Sequence, residues 1–196
     1  MAGGPSLRLY RASWSTNSER VGLGLAHKGI EASSVIIDYA NRAPVEAVSG
    51  QGLVPVIERS DGTVVADSVA ILRDLERRQP QPPLFPPDPA RRAELDVFID
   101  WFERVYKREP NEIEAELGRE QPDHALIGRL SAVMQMRLGL FEHLLAGREH
   151  LFGDFSAADC VAYPFLKYAG GRDPSDDELF HVVLDAHQLL GDEHPN

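Results

Sequence analysis

Six prolines within eleven residues divide this chain into two parts whose sequence patterns differ. The segment Gln79–Pro89 reads QPQPPLFPPDP, and it cannot form a helix interior or a central strand because proline has no amide hydrogen to donate. Short apolar runs alternate with helical patterns before this segment, whereas only helical patterns follow it. We therefore predict a first domain over residues 1–79, an extended proline-rich linker over residues 80–89 and an all-helical domain over residues 90–196.

The first part predicts a small α/β domain with the order strand, helix, strand, helix, strand, strand, helix. The opening strand, Leu7–Ala12, leads into the polar turn Ser15–Ser18 and then into a helix that Gly29 ends, since glycine favours helix C-termini. An Asp-Gly pair predicts a hairpin between the last two strands. The other expected elements are a strand at Ser33–Asp38, a short helix at Asn41–Val48, a strand within Gly50–Glu58, a strand at Thr63–Ala66 and a helix that opens at Asp67–Ser68.

The polar turn Ser15–Ser18 predicts both the start of the first helix and an anion site. Serine and threonine oxygens accept hydrogen bonds from the first amides of a helix, and Thr16–Glu19 also fits a capping box. The first amides and the helix dipole present partial positive charge to a group above the turn. Capping of the helix alone also accounts for these residues, because helix starts select the same side chains.

Two further short motifs point to the same kind of site. Pro55 lies inside an apolar strand, which is explicable if the Val54–Pro55 bond is cis and frees a backbone edge; a trans proline at a strand start is the alternative. Asp67 and Ser68 open the next helix, and as caps alone they would carry no function. We expect Ser15, Val54 and Ser68 to converge on one edge of the domain.

These features resemble the thioredoxin-like domain of glutathione transferases, which has a mixed four-stranded sheet in the order βαβαββα. In that family a residue that activates the thiol lies five positions before an arginine, which here corresponds to Ser15 and Arg20. Thioredoxins and glutaredoxins carry Cys-x-x-Cys at this turn, so the chain resembles the same backbone with hydroxyls in place of both sulfurs. A hydroxyl cannot exchange disulfides, which argues against a glutaredoxin-like reductase, but it can stabilise a bound thiolate. The resemblance implies catalytic roles for Ser15, Thr16 and Ser18.

The resemblance also implies how glutathione would bind. Main-chain atoms of Val54, before Pro55, would pair with its cysteinyl part. Asp67 and Ser68 would hold the γ-glutamyl group, through a carboxylate for the ammonium and through a hydroxyl and helix amides for the α-carboxylate. Arg42 would meet the glycyl carboxylate, or would be an exposed, solvated arginine. Seventeen of the twenty basic residues are arginine, which suggests a GC-rich genome and bears on which thiol the cell supplies. Another low-molecular-weight thiol is therefore the alternative co-substrate.

A hydrophobic co-substrate pocket is assigned to Trp14, Trp101, Tyr106 and Arg108. The last three belong to the first helix after the linker, which has a broad apolar face. Core packing is the alternative explanation for that face.

The second part predicts four helices and contains a further signature of the same family. In the sequence FGDFSAAD, Ser156 and Asp159 fit a helix cap with its reciprocal acidic partner. This resembles the capping box in the helical domain of glutathione transferases, so it identifies the fold and not the catalytic site. Cys160 is expected to be a small buried residue, and Pro164 is expected to kink its helix. The predicted helices are Pro89–Leu117, Asp123–Ala146, Ser156–Ala169 and Asp176–Leu190.

Charge and composition exclude several other functions. The net charge is −11, and it arises wholly after residue 79, where 22 acidic residues accompany 11 basic ones. Such a surface would repel nucleic acid and anionic lipid. The single cysteine excludes an internal disulfide and zinc sites built from paired cysteines, and the seven histidines show no metal-ligand spacing. Neither a signal peptide nor a transmembrane run of apolar residues is recognisable, which predicts a cytoplasmic protein.

The sequence thus predicts a glutathione-transferase-like enzyme in which a thiolate attacks a small electrophile. Transfer of the thiol would give a conjugate, and reversible addition would give an isomerase; the sequence does not separate them. A binding or scaffold module that keeps the fold without catalysis is the alternative from another class. The resemblance implies a two-fold homodimer. Related proteins continue past the position of His194–Asn196 into another helix, so we expect the chain to be truncated there.

Overall fold

The computed structural model describes residues 7–167 and Ser175. The chain divides into two compact units, residues 1–86 and 87–196, so the division falls inside the proline-rich segment. The first unit contains β1 (Leu7–Arg11), α1 (Thr16–Lys28), β2 (Ser33–Ile36), α2 (Ala43–Ser49), β3 (Val56–Arg59), β4 (Val64–Ala66) and α3 (Ser68–Arg78). The second contains α4 (Pro89–Trp101), a π-helical turn (Phe102–Tyr106), α5 (Arg108–Leu117), α6 (His124–Leu145) and α7 (Ala157–Leu166).

The first unit is built on a mixed four-stranded sheet with the strand order β2-β1-β3-β4. Strands β1 and β2 are parallel, whereas β3 pairs antiparallel with both β1 and β4. Side chains alternate across the sheet, so Leu7 and Leu9 share one core with α1 and α3, while Tyr10 shares another with Val45 of α2. The predicted thioredoxin-like order of strands and helices, followed by an all-helical domain, is confirmed.

Gly29 and Gly62 have a left-handed backbone, the first at a predicted helix end and the second in a predicted hairpin turn. Gly29 follows α1 with φ 62°, and its amide donates to the Ala26 carbonyl at 3.0 Å. Gly62 has φ 82° in the turn between β3 and β4, where the Thr63 amide donates to Asp61 Oδ1 at 2.8 Å. The predicted helix end and the predicted hairpin are both confirmed.

Helices α1 and α3 pack side by side along what we call the α1–α3 seam. The residues that meet there are 48 positions apart in the chain, and the pairs are Arg20 with Ser68, Gly24 with Leu72 and Lys28 with Glu76. Because both helices advance by one turn between successive pairs, they run parallel and their N-termini lie at the same end of the unit. A Cβ atom at position 24 would overlap the Leu72 side chain, so glycine allows the close approach.

The start of the proline-rich segment packs on the first unit. Lys28 is fully buried, and its Nζ donates to Glu76 Oε2 at 2.7 Å and to the carbonyls of Gln79 and Pro82 at 2.6 and 2.9 Å. Glu76 Oε2 also accepts a hydrogen bond from the amide of Leu84, whose side chain is buried. Residues 79–88 form neither helix nor strand, as their proline content predicts, but a buried lysine fixes the first of them.

A buried carboxylate on α3 ties this helix to the sheet. Asp74 accepts hydrogen bonds from Arg59 of β3 and from Arg77, and Arg78 Nε lies 3.3 Å from its Oδ1. Burial by itself would raise the pKa of Asp74, but the hydrogen bonds from the arginines outweigh burial and hold that pKa below its usual value. The helix that begins at Ser68 is thereby anchored at its middle.

We expect Asp74 to make the protein less stable in acid. A carboxyl group whose pKa is lower in the folded state contributes stability above its unfolded-state pKa, about 3.9, and loses it as the pH falls through the folded value. The free energy of unfolding of Asp74→Asn at pH 7 should therefore be about 2 kcal/mol lower than that of the wild type. Below about pH 4 it should fall less steeply with pH than that of the wild type. Urea unfolding at both pH values measures this, with the exposed Glu31→Gln as control. Equal acid sensitivity in Asp74→Asn and the wild type would contradict it.

The second unit departs from the sequence prediction in its first helix. The pattern predicts one helix over Pro89–Leu117, but α4 and α5 are separated by the π-helical turn Phe102–Tyr106. Pro110 is the physical reason, since it cannot donate to the Tyr106 carbonyl and its ring crowds that position. A new helix begins at Arg108 and holds Pro110 in its first turn, where proline is tolerated. The prediction of a single uninterrupted helix is therefore wrong.

A buried carboxylate and two arginines hold the π-helical turn. Glu109, 1% exposed, accepts hydrogen bonds from Arg137 Nη1 and from Arg108 Nη2, the latter at 3.0 Å. The same Arg137 nitrogen donates to the carbonyl of Val105 inside the turn at 2.8 Å. A side chain that inserts into the hydrogen-bond ladder of a helix is a known cause of such irregularity. Arg137 of α6 therefore joins the turn to a neighbouring helix.

The capping box at the start of α7 is confirmed. The Ser156 amide donates to Asp159 Oδ2 at 2.8 Å, and Ser156 Oγ accepts from the Ala158 amide at 3.3 Å. Cys160 is buried as expected, and Pro164 lies inside the helix. Three sequence predictions lie outside the described residues, namely the last residues of the Ser156–Ala169 helix, the Asp176–Leu190 helix and the chain end His194–Asn196.

Candidate functional site

The turn between β1 and α1 places three buried hydroxyl side chains at a helix start. Ser15 is the N-cap of α1, because its Oγ accepts a hydrogen bond from the Ser18 amide at 3.2 Å and its carbonyl accepts from Glu19 at 2.9 Å. Thr16 and Ser18 follow it in the first turn. A hydroxyl oxygen that accepts from an amide keeps its own hydrogen, so Ser15 is still able to donate to an anion.

The capping box that the sequence predicts over Thr16–Glu19 is not formed. The cap lies one residue earlier, because Ser15 has an extended backbone (φ −67°, ψ 115°) and Thr16 is already the first helical residue. An N-cap residue has a non-helical backbone, which allows its side chain to reach the amides of the residues that follow. Thr16 is already helical, so its side chain cannot act as the cap. Ser18 Oγ is buried and has no hydrogen-bond partner within the described part of the chain. A buried hydroxyl of this kind is expected to be satisfied by a bound water or ligand.

The start of α3 forms a second polar helix N-terminus. Asp67 is its N-cap, with Oδ1 accepting from the Ala70 amide at 2.9 Å and with φ 76°, which is uncommon for a residue other than glycine. Ser68 follows as the first helical residue, is buried, and accepts a hydrogen bond from Arg20 Nη1 at 3.4 Å. Asp67 therefore caps the helix, and its role with Ser68 in ligand binding stays a prediction.

Strand register brings these motifs to one end of the sheet. Tyr10 of β1, Val56 of β3 and Ala66 of β4 lie side by side. Strand β1 ends one residue beyond this row, β4 ends in it and β3 begins in it. The turn at Ser15, the Val54–Pro55 pair and the start of α3 therefore share that end. Because α1 and α3 are parallel, the partial positive charges of both helix N-termini lie there too. The arrangement agrees with the convergence that the sequence predicts.

The peptide bond between Val54 and Pro55 is cis, as predicted. Arg42 braces the loop before it, since its Nη1 donates to the Gly52 carbonyl at 2.8 Å and its guanidinium lies 5.0 Å from the centre of the Tyr39 ring. Arg42 is half-buried, so its description as an exposed, solvated side chain is wrong. Its contact with a ligand carboxylate stays a prediction.

Two of the residues assigned to a co-substrate pocket belong to an aromatic cluster. The Tyr106 ring stacks on Phe102 at 4.8 Å and meets Phe141 edge-on at 5.1 Å, and Trp101 lies 5.7 Å from it. Tyr106 is almost completely buried, and burial raises the pKa of its phenol, so its hydroxyl stays protonated. These contacts favour the core-packing explanation, and pocket lining stays a prediction.

The other two assigned residues differ from each other in exposure. Trp14 is half-buried beside Ser15 in the first unit. Arg108 is exposed, with Nη2 3.0 Å from Glu109 Oε1 and Nε 3.7 Å from Glu112 Oε1. Their roles toward a co-substrate stay predictions.

Among the buried charges that the sequence analysis did not predict, Lys28 and Glu109 have a recognisable signal in the sequence. Lys28 follows Val21 and Leu25 at helical spacing, and Glu109 follows Tyr106 in the same way, so each charge interrupts an apolar face. A charge at such a position is either paired in the fold or functional. Here both are paired.

Over residues 7–167, no helix is long and apolar enough to cross a lipid bilayer. In the same range, no group of three or more potential metal-ligating side chains comes together.

Known proteins resemble the chain over both the site and the wider fold. A family model for the glutathione S-transferase N-terminal domain matches residues 14–78, which contain all the motifs at this end of the sheet. FtsZ-localized protein A of Caulobacter vibrioides (strain NA1000 / CB15N) is 30% identical over 158 residues, or 72% of this chain and 69% of that protein. Maleylacetoacetate isomerase of Pseudomonas aeruginosa is 38% identical over 93 residues, or 44% of each.

Structural similarity extends beyond the N-terminal domain. The crystal structure of a glutathione S-transferase from Rhodospirillum rubrum F11 matches with a TM-score of 0.72 and 29% sequence identity, covering 93% of this chain and 86% of that one. Together with the family model over the two capped helix starts, this places the chain in the glutathione S-transferase family.

Proposed function

We propose that this protein is an enzyme that activates a glutathione-type thiol as a thiolate for attack on a small hydrophobic electrophile. The observation that carries the proposal is the Ser15 hydroxyl at the N-terminus of α1, whose oxygen accepts the Ser18 amide and whose hydrogen is available to a sulfur anion. One charge-assisted hydrogen bond contributes about 1.5–3 kcal/mol. That energy lowers the pKa of a bound thiol by about one to two units.

The tripeptide would lie along the end of the sheet where the three motifs meet. Its cysteinyl part would pair with the main chain of Val54, and its γ-glutamyl group would reach Asp67 and Ser68 at the start of α3. The Asp67 carboxylate would take the ammonium, and the Ser68 hydroxyl with the helix amides would take the α-carboxylate. Arg42 is assigned to the glycyl carboxylate. Glutathione is the co-substrate in this scheme, and the scheme uses no metal.

The reaction after thiolate formation depends on the electrophile. Transfer of the thiol gives a conjugate, as in detoxification, whereas reversible addition followed by release gives an isomerised product. The similarity to maleylacetoacetate isomerase supports isomerisation as the alternative reaction. The half-buried Trp14 beside Ser15 is assigned to the apolar part of the electrophile. On family grounds we also propose a homodimer that acts in the cytoplasm.

Ser15→Ala tests the proposal directly. We expect the variant to bind glutathione about as tightly as the wild type, because most contacts of the tripeptide lie elsewhere. The pKa of the bound thiol should rise by about one to two units, so turnover at neutral pH should fall about tenfold or more. Calorimetry measures the affinity, and the pH dependence of thiolate ultraviolet absorbance in the complex measures the pKa.

Ser60→Ala is the matched control, because this serine is exposed in the turn between β3 and β4. It should change neither quantity. An unchanged thiol pKa in Ser15→Ala would move the role to Thr16, Ser18 or the backbone amides, which Thr16→Val and Ser18→Ala separate. If the wild type takes up neither glutathione nor another low-molecular-weight thiol, the enzyme proposal is refuted.

A second candidate is a protein of the same fold that binds another protein and has no catalytic role. The observation that favours it is the 30% identity to FtsZ-localized protein A across 158 residues. Co-sedimentation with FtsZ polymers, combined with thiol calorimetry, separates the two candidates. Binding to FtsZ without thiol uptake supports the second, whereas thiol uptake with turnover supports the first.

A further inference from the structure

Arg20 is the largest fully buried side chain in the described structure, and the mechanism above gives it no role. A guanidinium is rarely buried completely without a purpose, because removal of a charge from water is costly. Arg20 lies on the face of α1 that turns to α3, one helical turn before Gly24. Its Nη1 donates to Ser68 Oγ at 3.4 Å.

This contact determines what the Ser68 hydroxyl is able to do. An oxygen that accepts from a guanidinium directs its own hydrogen elsewhere, so Ser68 presents a donor. Ser68 begins α3, where the amides of the first turn also lack partners inside the helix. The buried Arg20 charge therefore lies behind a group of donors, in surroundings where electrostatic interactions are screened little.

The α1–α3 seam holds this geometry in place. One turn along both helices, Gly24 allows Leu72 to approach closely, so the distance between the helices is set by packing. The contact between Arg20 and Ser68 therefore joins two helices that are packed against each other, and its geometry does not depend on a flexible loop.

We propose that Arg20 is a positioning residue that makes the thiol site selective for thiols with a carboxylate at the γ-glutamyl end. The inference rests on the function proposed above and adds a specificity to it. Arg20 does not touch the ligand; it orients the Ser68 hydroxyl and adds a fixed positive charge behind it. A thiol without that carboxylate gains nothing from either effect.

Two probe thiols isolate the effect. Glutathione carries the α-carboxylate, and 4-aminobutyryl-cysteinylglycine lacks only that group. In calorimetric titrations, Arg20→Gln should weaken glutathione binding about tenfold or more and leave binding of the second thiol nearly unchanged. Arg8→Gln, which removes an exposed arginine from the same unit, should alter neither affinity.

Arg20→Lys serves if the glutamine variant does not fold, since it keeps the charge and loses the planar donor geometry. Arg20→Lys should weaken the binding of glutathione and not that of the second thiol. This effect should be smaller in a Ser68→Ala background, because the hydroxyl through which Arg20 acts is then absent. Parallel weakening of both thiols, or unchanged discrimination between them, would overturn the inference. If the wild type binds neither thiol, both the proposed function and the role of Arg20 are refuted. If the wild type binds glutathione but the Arg20 variants discriminate between the two thiols as it does, only the role of Arg20 is refuted.

Discussion

Lys28→Met should destabilise the first unit by about 3–5 kcal/mol, a large fraction of the stability of an ordinary domain. The lysine ammonium is fully buried and satisfies Glu76 together with the carbonyls of Gln79 and Pro82. A methionine of similar length fills the space but takes the ammonium away from a largely buried carboxylate and from two carbonyls. Loss of one partner of a buried ion pair is more costly than absence of the pair, because the other charge stays desolvated.

The two tryptophans allow this effect to be assigned to one unit. Trp14 belongs to the first unit and Trp101 to the second, so a Trp101→Phe background leaves Trp14 as the reporter for the first. Lys28→Met should lower the urea midpoint of that reporter strongly. Arg8→Met is the control, because its pair with Glu58, at 3.2 Å, is largely exposed and should contribute little. A midpoint that moves no further than in the control would show that the buried lysine is dispensable.

Glu109→Gln should destabilise the second unit by about 3 kcal/mol or more. The substitution keeps the shape of the side chain but removes the charge that faces Arg137, and it turns an amide donor toward arginine donors. Arg137 also supports the Val105 carbonyl, so the π-helical turn should loosen when its counter-charge is lost.

Trp101 is suited to detect this loosening, because its ring lies 5.7 Å from Tyr106 at the end of the turn. In a Trp14→Phe background, both its folded-state emission and its urea midpoint should shift in Glu109→Gln. Glu112→Gln is the control, since Glu112 is half exposed and lies 3.7 Å from Arg108. A control variant that behaves like Glu109→Gln would rule out a special role for the buried carboxylate.

Features governed by neighbours a few residues apart were predictable from the sequence. Gly29 ends α1 and the Asp61-Gly62 pair makes the hairpin, because each depends on local backbone conformation. The Ser156–Asp159 capping box closes within four residues and was predicted in full. Such features are readable because both hydrogen-bonding partners lie inside one short window of sequence.

Predictions went wrong where two local rules competed or where a distant partner decided the outcome. Ser15 and Thr16 both suit an N-cap, and only the backbone conformation selects Ser15. The helical pattern runs through Pro110 unbroken, but an arginine from another helix helps to support a π-helical turn just before it. Arg42 looked like a surface residue because nothing local indicates that it braces the Gly52 carbonyl.

The amino-acid sequence alone determined the order of strands and helices in the first unit, the Ser156–Asp159 capping box and the resemblance to the family, because those depend on periodicity and on short-range hydrogen bonds. The tertiary structure alone decided which buried charges meet. Arg20 with Ser68 and Lys28 with Glu76 are each 48 positions apart, and Arg137 reaches Glu109 from another helix. The free energy of a charge depends on whatever shares its low-dielectric surroundings after folding, and no local pattern names that partner.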